Sequence, residues 1–234
     1  MEKILRIKNK IFFLFFIIFL YKPDKRNQLK NSTNEIVVLG RGKSTNYYFK
    51  KFQNSPKIVA LVNFMDHDMK NLDIKVLDKK EIYLFYNIEF KTLSAKYLLK
   101  LNIKGVIRTG NKDSRNYNLQ TKFRKKFLDQ FPEFPKHLHQ YMGFNNSGLL
   151  SIVYMIDYFK PKNVLLFGFN FYLGDMIRDT SQGFTIDEST RTSPQKINEN
   201  FLKLCNSFKN IQFYRYDDVE IDKLPNLIHM STKL

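Results

Sequence analysis

The chain has 234 residues, 43% of them hydrophobic, with 23 Phe and 13 Tyr: enough for one domain with a sizeable core and a short appendage, and not the composition of a disordered chain. Its one cysteine, Cys205, excludes an internal disulfide and a thiolate pair for structural zinc or redox chemistry. A formal net charge of +17 attracts phosphates, acidic glycans and anionic lipid without specifying any of them. The abundance of Lys, Asn, Ile and Phe is also what a biased base composition would produce, and the cations are dispersed apart from Lys122, Arg124, Lys125 and Lys126. No basic stripe with interleaved aromatics marks a specific nucleic-acid partner.

Along the chain, Lys3, Arg6, Lys8 and Lys10 precede an apolar run from Ile11 to Tyr21. As a helix that run rises about 16 Å, short of a hydrocarbon core of about 30 Å. Recruiting Ile4 to Lys10 lengthens it, with the cations snorkelling to one face. Lys22, Pro23, Asp24, Lys25 and Arg26 follow, with no small-residue cleavage site, so residues 1–21 are expected to be a retained membrane-associating segment rather than a removed signal peptide; a buried or disordered tail is the alternative. Residues 22–34, polar and containing Pro, Asn and Ser, read as a linker, and residues 35–234 as the folded domain.

Within that domain, Ile36 to Leu39, Ile58 to Val62, Ile82 to Tyr86, Gly105 to Arg108, Val164 to Phe167 and Ile211 to Tyr214 read as strands. Their apolarity is continuous rather than alternating, which means burial on both faces, as in a parallel sheet. Helices are expected at Thr45 to Phe52, Phe90 to Leu101, Leu119 to Phe131, Gly148 to Phe159 and Pro194 to Phe208. The rhythm predicts an α/β fold, a Rossmann-like parallel sheet flanked by helices, with ligands outside the carboxyl ends of the strands.

At the first such end stands Gly40-Arg41-Gly42-Lys43-Ser44, a glycine turn leading into a helix, where backbone can approach a ligand and an anion is favoured. It is not a P-loop, because Val37 stands where that motif needs its first glycine, nor the dinucleotide pattern, because Thr45 replaces the third small residue. Asn63 and Asn87 directly follow the second and third strands, and an amide offers donor and acceptor to sugar hydroxyls and base edges. Asn146, Ser147 and Gly148 open the next long helix and offer amides and a hydroxyl to a second part of an anionic ligand; a plain helix cap is the alternative. Tyr172 follows the strand ending at Phe167 and reaches toward the same crevice.

This order of motifs resembles the bacterial sialyltransferases of glycosyltransferase family 42 and, more distantly, the Golgi sialyltransferases of family 29. In both, a first strand runs into a glycine turn ending in Ser, as Gly40 to Ser44 does, and the next strand ends in an Asn like Asn63. The bacterial Phe-Tyr-Asn run is matched by Phe85-Tyr86-Asn87, the Ser-Gly helix start by Ser147-Gly148, and the bacterial Asp-Phe-Tyr by Asn170-Phe171-Tyr172. Leu166-Phe167-Gly168-Phe169 stands where the Golgi enzymes have Tyr-Gly-Phe-Gly. The similarity covers roughly Glu35 to Tyr216.

The resemblance implies a sialyltransferase-type GT-A variant fold, a CMP-sialic acid donor, a glycan acceptor, inversion at the anomeric carbon and no required metal or other cofactor. On it, Asn63 and Asn87 contact the donor, Ser147 and Gly148 lie at the nucleotide-binding helix start, and Tyr172 hydrogen-bonds the departing phosphate. The expected N-terminal anchor, read from the apolar run and not from the resemblance, would place the chain as a Golgi type II protein in a eukaryote, or at the inner membrane or in the cytoplasm of a bacterium. Arg41 replaces a bacterial Asn and Leu165 a second phosphate-binding Tyr, so Arg41 is expected to supply the lost stabilisation as a cation. The families' general-base His is missing from the loop between Gly174 and Ser193, where Thr192 lies near its place. Asp187, Glu188 and His67 are the substitutes, and the loop's composition suits a lid over the donor. Three alternatives stand beside this reading: a binding module that has kept the fold and lost catalysis, a transferase of another nonulosonic acid or of Kdo, and, third, a nucleic-acid protein, for which binding without sequence discrimination would be the charge acting alone.

Overall fold

The computed structural model describes residues 11, 15, 33–52, 54, 56–70, 72–86, 93–109, 135–144, 146–170, 193–217 and 223–232. The expected helix at 119–131 lies outside them, as do nearly all of the N-terminal segment and linker and all but Ser193 of the expected lid. In chain order the elements are β1 (Glu35–Leu39), α1 (Thr45–Lys51), β2 (Ile58–Val62), α2 (Asp66–Met69), β3 (Glu81–Tyr86), α3 (Ala95–Leu98), β4 (Ile103–Arg108), α4 (Ser147–Phe159), β5 (Asn163–Phe167), α5 (Pro194–Ser207), β6 (Gln212–Tyr216) and β7 (Leu227–Met230). Short 3-10 helices at Ile74–Leu77 and Lys136–Phe144 complete them.

The strands form one sheet in the order β4-β3-β2-β1-β5-β6-β7, parallel at every pairing. Burial on both faces explains the unbroken apolar runs. Val37, Leu39, Val59 and Leu61 face one core with Tyr48, Phe49 and Phe64, while Ile36, Val38, Ala60 and Val62 face another with Leu149, Ile152, Val153 and Phe201. Successive side chains thus serve opposite layers, as the twofold repeat of a strand requires. Aromatic rings fill both layers; in the first, Phe167 and Tyr216 stack at 4.3 Å between ring centroids and Phe52 packs edge-on to both.

The six strands read from the sequence are present, within about two residues at either end, as cooperative ends usually are. The expected helix at 90–101 appears as α3, Ala95–Leu98, with residues 90–92 outside the described set. The strand β7 was not foreseen. It has four residues of which Leu227 alone is buried, so it carries no continuous apolar signal. What holds it is pairing with β6 and the Asn226 amide, which donates to the carbonyls of Cys205, Phe208 and Ile211 and ties the end of α5 to both strands.

Candidate active site at the carboxyl ends of the strands

From β1 the chain winds outward to β4 and then returns to β5 on the other flank of β1. The carboxyl ends of β1 and β5 are therefore the topological switch point, where open α/β sheets bind ligands. Two turns meet there. The Gly40 N–H donates to Phe167 O at 2.7 Å and the Gly42 N–H to Gly168 O at 3.0 Å. The Gly168 N–H donates to Ser44 Oγ at 2.7 Å, and Thr45 Oγ1 donates to Gly40 O at 2.9 Å.

The glycines follow from this approach. A Cβ on Gly40 would lie 2.5 Å from Gly168 O, one on Gly42 2.9 Å from the Gly168 backbone, and one on Gly168 2.5 Å from Thr45 Oγ1. The close contact that glycine permits is spent between the two turns, and the amides of Gly40 and Gly42 are satisfied by the carbonyls of Phe167, the last residue of β5, and of Gly168 just after it. Ser44, buried, is a strut between them.

Arg41 leaves the same turn and crosses to the segment after β2. Its Nη2 donates to Asp68 Oδ1 at 3.0 Å, and its Nε lies 3.0 Å from Asp68 Oδ2 as a charge pair whose N–H is not aligned for a hydrogen bond. His67 Nε2 is 3.0 Å from Arg41 Nη2 and 3.2 Å from Asp68 Oδ1. Asn63 caps β2 in the left-handed region, φ 56°, with its N–H donating to Phe85 O at 2.8 Å. Asn and Asp tolerate that conformation better than most residues, so its place at the strand tip has a backbone reason.

On the other face of the sheet, α4 begins at the same rim. Asn146 caps it, its side-chain oxygen accepting from Leu149 N–H at 3.1 Å, which leaves Ser147 and Gly148 as the first helical residues. Buried Phe169 wedges between the two layers: its ring lies 2.7 Å from where a Gly148 Cβ would be and 3.4 Å from a Gly40 Cβ. The rim thus runs from Arg41, His67 and Asp68 over Gly40 and Gly168 to Phe169 and the start of α4. It joins a fixed cation to a helix N-terminus, two groups that favour anions.

No protein-family model matches the chain, and no curated protein matches it. Among solved structures it is similar to the sialyltransferase CstII, from Campylobacter jejuni. The complex of CstII with a trisaccharide acceptor and CMP matches with a TM-score of 0.51 and 20% identity, over 77% of this chain and 80% of that one. Monomeric CstII gives the same figures, 0.51, 20%, 77% and 80%. The fold is that of CstII. At this identity the likeness is one of architecture, and it matches the seven-stranded parallel sheet and flanking helices described above.

In this CstII-like frame the sequence-predicted residues Gly40, Arg41, Gly42, Ser44 and His67 come together at one corner of the rim. Asn63 ends the neighbouring strand, and Asn146, Ser147 and Gly148 are linked to Gly40 through Phe169. Asn87, Tyr172, Asp187 and Glu188 lie outside the described residues. Sequence reasoning missed Asp68, Gly168 and Phe169 as parts of the site. The run Asp66-His67-Asp68 after a strand was the available signal for the first. Among the described residues no group of three or more His, Cys, Asp or Glu is placed to hold a metal ion, and no helix is long and apolar enough to cross a membrane.

A second charged cluster lies toward the sheet edge, where fully buried Arg215 pairs through Nε with Asp217 Oδ2, and Asp217 Oδ1 meets His229 Nε2 at 2.9 Å. Burial lowers the Arg215 pKa, opposed by the Asp217 carboxylate. His137, by contrast, pairs with Asp157 near the carboxyl end of α4, at the opposite end of that helix from the rim.

Proposed function

We propose that the protein is a sialyltransferase-like glycosyltransferase that moves sialic acid, or a related nonulosonic acid, from a CMP-activated donor to a glycan hydroxyl with inversion. The observation that carries the reading is the Asp68-anchored Arg41 cation and the α4 N-terminus facing one rim of a CstII-like sheet. In such a transfer the acceptor oxygen forms a bond to the anomeric carbon while the bond from that carbon to the phosphate oxygen breaks, and CMP departs with the electron pair. Fixed donors at the departing phosphate lower the barrier because they are already oriented when charge develops. Arg41 and the amides of Ser147 and Gly148 take that role here, with Tyr172 as a further donor. Asn63 and Asn87 bind the donor, and Asp187 or Glu188 receives the acceptor proton. The reaction draws on no cofactor, and the N-terminal apolar segment holds the enzyme at a membrane.

A second reading, a binding module without turnover, is favoured by one contact: His67 Nε2 already faces Arg41 Nη2 at 3.0 Å and so is not open to an acceptor hydroxyl. The test is incubation of the full chain with CMP-sialic acid and a galactoside, with the products read by mass spectrometry. A sialylated galactoside is the expected result. Donor binding with neither transfer nor hydrolysis selects the binding module, and transfer from another activated sugar in a donor panel replaces the donor.

A further inference from the structure

The most deeply covered charge on the rim is Asp68, whose residue is 1% exposed and whose side chain is fully covered. A carboxylate in such a place needs partners to remain ionised. It has the Met65 N–H at 2.9 Å, Arg41 Nη2 at 3.0 Å and Arg41 Nε at 3.0 Å, with His67 Nε2 at 3.2 Å beside them. These contacts hold one edge of the guanidinium. Arg41 keeps 11% of its side chain exposed, and its Nη1 makes no hydrogen bond or ion pair among the described residues. Because the guanidinium is flat and rigid, holding Nε and Nη2 also decides where Nη1 points. Lysine, a point charge on a flexible stem, has no equivalent of that lock.

We infer that Asp68 is a positioning residue: it locks the Arg41 fork so that the Nη1 edge is presented to a phosphate at the rim, and through Arg41 it holds His67 Nε2 as a hydrogen-bond acceptor. His67 Nε2 lies 3.0 Å from Arg41 Nη2, which only donates, and 3.2 Å from Asp68 Oδ1, which only accepts; the shorter contact takes precedence, with Nε2 accepting from the guanidinium and the ring proton on Nδ1. This assignment rests on the reading of the rim as a CMP site, and it removes His67 Nε2 from proton transfer while the lock is closed.

The experiment compares the full-length wild type with Asp68→Asn and Arg41→Lys in two measurements. One is the affinity for CMP and for cytidine, which lacks the phosphate. The other is the nitrogen NMR spectrum of the His67 ring, assigned with His67→Gln. The expected result is a wild type that prefers CMP, at least a tenfold loss of CMP affinity in each variant with cytidine affinity within twofold, and a wild-type Nδ1–H tautomer lost in Asp68→Asn. Arg41→Lys keeps the charge and so separates the loss of the fork from the loss of the ion pair, even if Asp68→Asn folds poorly. An unchanged CMP preference in both variants, or an Nε2–H tautomer in the wild type, overturns the lock and leaves the proposed function standing. A wild type that binds neither compound, with the tautomer behaving as expected, sinks the proposed function while supporting the lock.

Discussion

Replacing Gly168 by alanine tests whether the two turns at the switch point are built as described. The residue has φ +75°, and the left-handed region costs an ordinary L-residue about 1–2 kcal/mol. The new methyl would also lie 2.5 Å from Thr45 Oγ1 and 2.7 Å from the Gly40 carbonyl carbon and oxygen. Thr45 is fully buried and its hydroxyl is committed to Gly40 O at 2.9 Å, so it has little room to yield. Overpacking of this kind costs about 1–3 kcal/mol, for a sum of about 2–5 kcal/mol. With a urea slope of about 2–3 kcal/mol per molar, the unfolding midpoint falls by about 1–2 M. Circular dichroism in a urea series measures it. Gly40→Ala, which lacks the positive φ but places a methyl 2.5 Å from Gly168 O, is expected to fall in between. Gly143, with nothing within 4 Å of its would-be Cβ, is the control and should stay within about 0.5 kcal/mol of wild type. A Gly168→Ala midpoint equal to that of Gly143→Ala refutes the tight joining of the turns.

Asn146→Ala removes the side-chain cap on Leu149 N–H and should lower stability by about 1 kcal/mol, read as a midpoint shift in the same urea series; no shift would mean the cap is not formed in solution. Cys205 is fully buried, and desolvation pushes its thiol up to about 12, so a thiol reagent at pH 8 should label it at the rate of unfolding rather than at the rate of a free thiol. The same shift has a pH consequence. Above a pKa of about 8.5 the unfolded thiol loses its proton while the folded one keeps it, so stability falls by up to about 1.4 kcal/mol per pH unit until the folded thiol also ionises. The alkaline part of that fall should be shallower in Cys205→Ala, and identical slopes in the two proteins would contradict the burial.

The residues themselves determined the α/β class, six of the seven strands and the turns at their carboxyl ends. Burial on both faces is a local property of composition, so Ile36 to Leu39 or Val164 to Phe167 announce it without any partner being known. Tertiary structure alone decided the strand order, and the rest follows from that order. Setting β5 beside β1 brings Gly168 against Gly40 and Gly42, so these glycines serve a contact across more than a hundred residues of chain. Setting β2 on the other flank brings Asp68 to Arg41, 27 residues away, and no periodicity records such a pairing. The edge strand β7 was invisible for the converse reason: with one buried residue in four it has almost no apolar signature of its own, and its place comes from backbone pairing and the Asn226 amide. Burial leaves its mark on each segment separately, whereas a site assembled at strand tips exists only once the segments have been arranged side by side.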